Sequence, residues 1–268
     1  MSAAVKARNQ VLLAQIEAQA TELCLTTVRG QFRKLADDAV REGQTHLAYL
    51  TALFEAEIEQ RALRRTARRL KEARFPAHKT LPEFCFADNP GVPKTQLAAL
   101  CECRWIGEKE SVVLVGDSGT GKTHLATALG VCACELGLSV RFTTLAQLAN
   151  ELIEAQSEQK LARLLARYRR LGLLIIDELG FLTLPDGAAE LVFQVISERN
   201  ELGSLIITTN LPFGEWTKVF PDPRLAGAVV DRVTHRSHII ETGSKSWRFQ
   251  QGLGRRARAK KAKGVAVS

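Results

Sequence analysis

Two patterns in this chain of 268 residues predict an α/β domain on a five-stranded parallel sheet, preceded by a small all-α domain. From about residue 10 to residue 74 Gly and Pro are almost absent and apolar residues recur at helical spacing. From about residue 95 short apolar runs alternate with helical stretches, as in parallel sheets whose crossovers are helices.

Within the first segment, Leu47, Leu50, Phe54 and Ile58 share one helical face, as do Leu63, Ala67 and Leu70, and the segment reads as a helical domain over residues 1–75. Pro76 and Pro82 mark a boundary, and residues 76–94, with Phe84 and Phe86, read as a linker. The α/β domain, over 95–243, opens with a strand at Ser111–Val115 and a helix from His124 to Leu136. A strand at Ser139–Thr143, a helix around Leu145–Tyr168 and a strand at Leu173–Ile176 follow. A helix over Asp186–Glu201, a strand at Leu205–Thr209, helical turns around Gly214–Arg232 and a last strand near His238–Ile240 complete the pattern.

Composition narrows the function classes. Hydrophobic content of 46% and charged content of 25% are those of a soluble globular protein. No apolar run reaches the ~20 residues of a membrane span, and the N-terminus lacks a signal-peptide layout, so a cytoplasmic, membrane-free protein is expected. The net charge of +8 sits in the tail over 244–268: Lys245, Arg248, Arg255, Arg256, Arg258, Lys260, Lys261 and Lys263. Without those eight, basic and acidic residues balance at 29 each. Such a tail is either a phosphate-contacting arm or a solubilising terminus. Two further basic stretches stand out. One holds Arg61, Arg64, Arg65, Arg68, Arg69, Lys71 and Arg74; the other holds Lys160, Arg163, Arg167, Arg169 and Arg170, with Leu161, Leu164, Leu165 and Tyr168 placed to seat its helix. The cysteine pairs Cys101/Cys103 and Cys132/Cys134 fall in expected helices, where residues two apart point in nearly opposite directions; reduced, buried thiols are expected rather than zinc ligands.

Gly116, Asp117, Ser118, Gly119, Thr120, Gly121, Lys122 and Thr123 spell GxxxxGK[ST] between an apolar strand and a helix. The glycines let the backbone turn tightly and aim its N–H groups inward, making an anion nest at a helix N-terminus. Lys122 is expected to reach the β- and γ-phosphates, and the Thr123 hydroxyl to ligate Mg²⁺. His124 adjoins this cofactor set. Some fifty residues on, an apolar strand ends in Asp177 and Glu178. Asp177 is expected to hold Mg²⁺ through its water shell and Glu178 to polarise the attacking water. Asn210, after the next strand, suits an amide that hydrogen-bonds the γ-phosphate or that water, though an Asn before Leu-Pro is also an ordinary turn residue. Arg232 is placed as an arginine finger toward a neighbouring subunit's nucleotide, with Arg199 and Arg224 as rivals.

The segments ARFPAHKTLPEFCF, GDSGTGKTHLATALG, LLIIDELGFLTLP, SLIITTNLPFGEW and VVDRVTHRSHIIE, in this order over roughly residues 10–250, resemble the IstB-like transposition helper ATPases. The resemblance implies an AAA+ ATPase domain with an appended helical domain, using ATP and Mg²⁺. It also implies homo-oligomeric assembly on duplex DNA and partnership with a DDE-type transposase of the same insertion sequence. Since 28 residues follow Ile240, no helical lid is expected. Arg61, Arg65, Arg68, Lys160, Arg163, Arg167, Arg169 and Arg170 are the candidate DNA contacts. Two alternatives are a helicase loader of the DnaC type, set apart by its partner, and a metabolic P-loop kinase, which needs an acceptor site that the sequence does not display.

Overall fold

The structure, a computed structural model, describes residues 3–243; the basic tail lies outside the described residues. The chain divides into two compact units between Ala67 and Arg68.

The first unit comprises α1 (Ala3–Glu22), α2 (Thr26–Arg41) and most of α3 (His46–Ala73) around a small core of Ala20, Val28, Phe32 and Leu53. The expected apolar face of α3 is not the buried one: Leu47, Leu50, Phe54 and Ile58 are 44–77% exposed, and Leu63 is exposed as well. The helix packs instead through Tyr49, Leu53 and Glu57. The physical reason lies at the start of α2, whose preceding residue, Leu25, supplies no side-chain cap. The buried Glu57 carboxylate accepts the Thr27 and Val28 N–H groups at 2.7 and 3.0 Å and so does the work of a cap. Arg61, 2.8 Å from Glu57, also donates to the Cys24 carbonyl, and Arg64 donates to Thr27 Oγ1. Burial opposes ionisation of Glu57, but hydrogen bonds from Val28, Arg61 and Thr27 and the Arg61 charge outweigh it and hold the carboxyl below its ordinary range.

The second unit begins with α4 (Lys94–Cys101) and α5 (Arg104–Gly107). Then come β1 (Ser111–Val115), α6 (Lys122–Glu135), β2 (Val140–Thr144), α7 (Leu145–Ser157), α8 (Leu161–Arg169) and β3 (Leu173–Leu179). It closes with α9 (Asp186–Leu202), β4 (Ser204–Thr209), a 3₁₀ turn (Phe213–Lys218), α10 (Pro223–Thr234) and β5 (Ser237–Glu241). The five strands are parallel in the order β2-β3-β4-β1-β5. Their apolar residues split by parity between two cores, as the two-residue period of a strand requires. Val113, Leu174, Ile176, Leu205 and Ile207 meet α7–α10, while Val112, Leu114, Ile175 and Ile206 meet α4 and α6.

Two expectations change here. The single helix over 145–168 is two helices, broken at residues 158–160, where Gln159 takes a φ of 57°. Cys103 is also not helical: with φ 57° it breaks the chain between α4 and α5. Its thiol and that of Cys134 are pushed up to about 12 by burial, and Cys101 and Cys132 meet at 2.8 Å. Among the described residues no group of three or more His, Cys, Asp or Glu side chains is placed to hold a metal ion, and no helix is long and apolar enough to cross a membrane.

Candidate functional site

The chemistry gathers at the carboxyl ends of the strands. β1 ends at Val115 and the chain turns through Gly116 and Gly121, at φ 155° and 91°. Both positions need glycine twice over, for that conformation and for space. A Cβ on Gly116 would lie 2.3 Å from Thr242 Oγ1, and one on Gly121 would lie 2.6 Å from the Phe84 ring. The loop is clasped from the end of β5. Asp117 N–H donates to the Gly243 carbonyl (3.1 Å), the Thr120 and Thr242 hydroxyls meet at 2.6 Å, and Thr242 N–H donates to Val115 O (2.8 Å). Nothing in the sequence singled out Thr242.

Lys122 opens α6 and is buried; its Nζ donates to the carbonyls of Gly116 (2.7 Å) and Asp117 (2.8 Å), drawing the loop around the ammonium. Next to it, Thr123 Oγ1 lies 3.1 and 3.0 Å from the two carboxylate oxygens of buried Asp177. A hydroxyl and a carboxylate so placed are the hard oxygen donors Mg²⁺ takes, and the residues fit that ion.

Adjacent strand residues ordinarily face opposite sides of a sheet, yet Asp177 reaches Thr123 while Glu178 lines the same cavity. A bulge makes this possible. The β3–β4 register shifts between Ile176 and Leu179, and Glu178 adopts φ 63°, uncommon for a side-chain-bearing residue. Thr208 on β4 fixes the bulge: its Oγ1 accepts the Glu178 N–H (3.0 Å) and donates to Asp177 Oδ1 (2.5 Å). The sequence reading passed over Thr208 for Asn210. In the structure Thr208 lines the cavity, whereas the Asn210 Oδ1 is buried against Gly180, without a hydrogen-bond partner among the described residues.

The cavity holds about 440 Å³, with Ser118, Gly119, Lys122 and Thr123 on one side and Pro76, Phe84 and Asn89 on the other. His124, beside the loop, donates from Nε2 to the Thr80 carbonyl at 2.8 Å, and its ring meets Phe84 edge-on at 5.4 Å. The 76–89 segment thus places Pro76, Ala77 and the Phe84 ring, with Lys79, Glu83 and Asn89 beside them, next to the phosphate loop, a mixed wall that offers a nucleobase both an apolar face and polar partners.

The arginines separate clearly. Arg199 is 1% exposed and its two terminal nitrogens donate to the carbonyls of Tyr168, Arg169, Leu171, Gly172 and Ser204. It is an internal tie, which removes it from the finger candidates. Arg232 lies over the Phe193 ring at 4.8 Å and donates to Ala228 O, while Arg224 is exposed at the start of α10. Of the candidate DNA contacts, Lys160 pairs with Glu158 and Arg169 with Glu198; Arg163 and Arg167 are exposed on α8, which is seated by Leu165 and Tyr168, and Arg170 is exposed just after it. Arg61 is tied to Glu57, Arg65 is exposed, and Arg68 faces Glu72 at 3.9 Å.

A parallel sheet in this order, a phosphate loop after β1 and an acidic end on β3 define an AAA+ P-loop domain. The fold is shared with a DNA replication initiation factor (TM-score 0.52, 21% identity, covering 62% of this chain and 50% of that one). It is shared too with AMPPCP-bound DnaA from Aquifex aeolicus (TM-score 0.53, 20% identity, 63% and 51%). The chain spans about half the length of these structures. The family described as IstB-like ATP binding protein matches residues 18–254, and the chain belongs to that family. Similar proteins include an insertion sequence ATP-binding protein of Sinorhizobium fredii, 36% identical over 91% of this chain and 83% of that protein. Another is the IS21 ATP-binding protein of Pseudomonas aeruginosa, 32% identical over 88% of this chain and 89% of that protein.

Proposed function

We propose that this protein is an ATP-hydrolysing, DNA-binding regulator that assembles as a homo-oligomer on duplex DNA and assists the DDE-type transposase of its insertion sequence. The observation that carries the ATPase reading is the linked set Thr123–Asp177–Thr208–Glu178 beside a buried lysine. The transposition reading is supported by family membership and by relatives named for insertion sequences.

Lys122 would exchange its carbonyl partners for phosphate oxygens, which brings its charge to the transferred group. Mg²⁺, when bound, would be held at Thr123 and Asp177 and would neutralise charge on the β- and γ-phosphates. Glu178, exposed in the cavity, orients water for attack on the γ-phosphorus and accepts its proton as the bond to the β-phosphate oxygen breaks, giving ADP and phosphate. An arginine from a second copy, Arg232 or Arg224, would complete the charge stabilisation, so assembly and turnover are coupled. Asn210 reaches the γ-phosphate in this reading only by turning out from Gly180.

Two substitutions test the division of labour. Lys122→Ala is expected to lose ATP binding and with it DNA-dependent assembly. Glu178→Gln is expected to bind ATP and trap the assembled state, with turnover at least ~100-fold lower, in the range a general base supplies. Wild-type turnover in Glu178→Gln, measured as phosphate release, refutes the assignment.

A further inference from the structure

Residues from the two basic stretches that the sequence holds about a hundred residues apart meet in the second unit. Arg68, Arg69, Lys71 and Arg74, at the end of α3, line one cleft together with Arg167 of α8 and Arg141 of β2. The cleft measures about 580 Å³ and opens at the amino ends of β2 and β3, where Ser139 and Leu171 form its floor. Those six cations face two carboxylates: Glu72 takes Arg68 and Arg69, and Glu151 takes Arg141 at 3.3 Å. Lys71, Arg74 and Arg167 have no carboxylate within 4 Å among the described residues.

Four positive charges therefore remain uncompensated. The C-terminal end of α3 accounts for little of this, since a helix macrodipole equals only about half a charge. A second observation points to an anion. Arg141 is 7% exposed, lines the cleft, and its Nε has no acceptor among the described residues; the Arg69 Nε is likewise buried without one. Unsatisfied guanidinium donors at this depth are costly unless a ligand supplies the oxygen.

We infer that this cleft grips the sugar–phosphate backbone of DNA, through Arg74, Arg167 and the unsatisfied face of Arg141. It rests on the reading that the protein binds DNA, and it places that contact at the amino ends of the strands, away from the nucleotide. A free nucleotide fits poorly, because among the described residues Val140 and Leu171 are the only apolar ones lining the cleft and none of the lining residues is aromatic. What remains is recognition by phosphate alone, without sequence readout.

The test uses the full chain with ATP and a duplex of mixed sequence, following DNA by fluorescence anisotropy from 50 to 300 mM salt. Arg74→Ala with Arg167→Ala removes two exposed cations and leaves the buried Arg141 in place, so folding is spared; unchanged ATP affinity checks this. Each lost phosphate contact should lower the log–log salt slope by about 0.9 and the affinity at 0.1 M salt by roughly eightfold. The double variant is therefore expected to bind about 60-fold more weakly with a slope shallower by about 1.8. Lys160→Ala with Arg163→Ala, outside the cleft, is expected to change neither by as much. Wild-type affinity and slope in the Arg74/Arg167 variant overturn the cleft, as does a variant that loses only binding to phosphatidylserine vesicles. Absence of DNA binding by the wild type would instead sink the underlying reading.

Discussion

Thr208→Val is the most discriminating change that this site offers. It keeps the shape of the side chain and removes one oxygen, which accepts from Glu178 N–H at 3.0 Å and donates to Asp177 Oδ1 at 2.5 Å. The hydrogen bond to an ionised carboxylate is worth about 1.5–3 kcal/mol, and an orphaned backbone N–H costs ~1–3 kcal/mol more. Part of this is recovered as Asp177 turns to Thr123 and the Glu178 amide reaches solvent, so a stability loss of about 2 kcal/mol is expected, or roughly 4–8 °C in Tm. The effect on turnover should be larger than that on folding. Glu178 holds φ 63° only because its amide is anchored, and a base displaced by about 1 Å loses on the order of 100-fold in rate. Nucleotide affinity should hold within about threefold, since the hydrogen bonds of Lys122 to the Gly116 and Asp117 carbonyls of the phosphate loop are left in place. Phosphate release and a fluorescent-nucleotide titration separate the two quantities, and Thr208→Ser should restore turnover. If Thr208→Val hydrolyses ATP within twofold of wild type, the bulge does not position Glu178 and the argument fails.

Three further outcomes follow from the same geometry. Arg232→Ala should bind ATP normally, turn it over poorly and form fewer large complexes with DNA in sedimentation; normal turnover and assembly would shift the finger to exposed Arg224. Arg199→Met should lose about 3–5 kcal/mol, roughly 6–20 °C in Tm by calorimetry, as the Leu171, Gly172 and Ser204 carbonyls lose a shared donor. The Glu57 carboxyl is held below its unfolded value, so its contribution is present above that unfolded value and is lost as pH falls through the lowered one. Hydrogen exchange should show the Thr27 and Val28 amides losing protection in that acidic window, and Glu57→Gln should remove the pH dependence.

The nucleotide site was legible because its motif residues are close in sequence and sit at one strand–helix junction. Lys122, Thr123 and Asp177 come together much as the spacing implies. Thr208 was not legible, because an interior threonine looks like any β-branched strand residue until the bulge opposite brings two carboxylate-bearing positions to it. Thr242 was hidden for a related reason: its role is to approach Gly116, a contact 126 residues distant in the chain. The rotation of α3 was misread because that helix carries two apolar stripes. Periodicity weighs both alike, while the polar requirement of α2, met by Glu57, selects the shorter one.

The strand that presents Asp177 and Glu178 also borders the basic cleft at its other end. Asp177 lies near the carboxyl end of β3, Leu171 lies just before its start, and Arg141 sits on β2 paired to Leu174. Between the two sites the interior of the sheet is fully buried aliphatic packing: Leu173, Leu174, Ile175 and Ile176 are each 0% exposed. Such packing deforms little, so β3 acts as a strut that fixes the distance from cleft to phosphate loop. On the proposed reading, nucleotide in one subunit would order the loop and any neighbour that docks on it, while the cleft of that subunit would move with it as a rigid part. Repetition of one phosphate-gripping cleft per subunit would let ATP-driven assembly set the path of the DNA without reading its sequence. On the proposed reading, that division would place specificity in the partner and geometry in this protein.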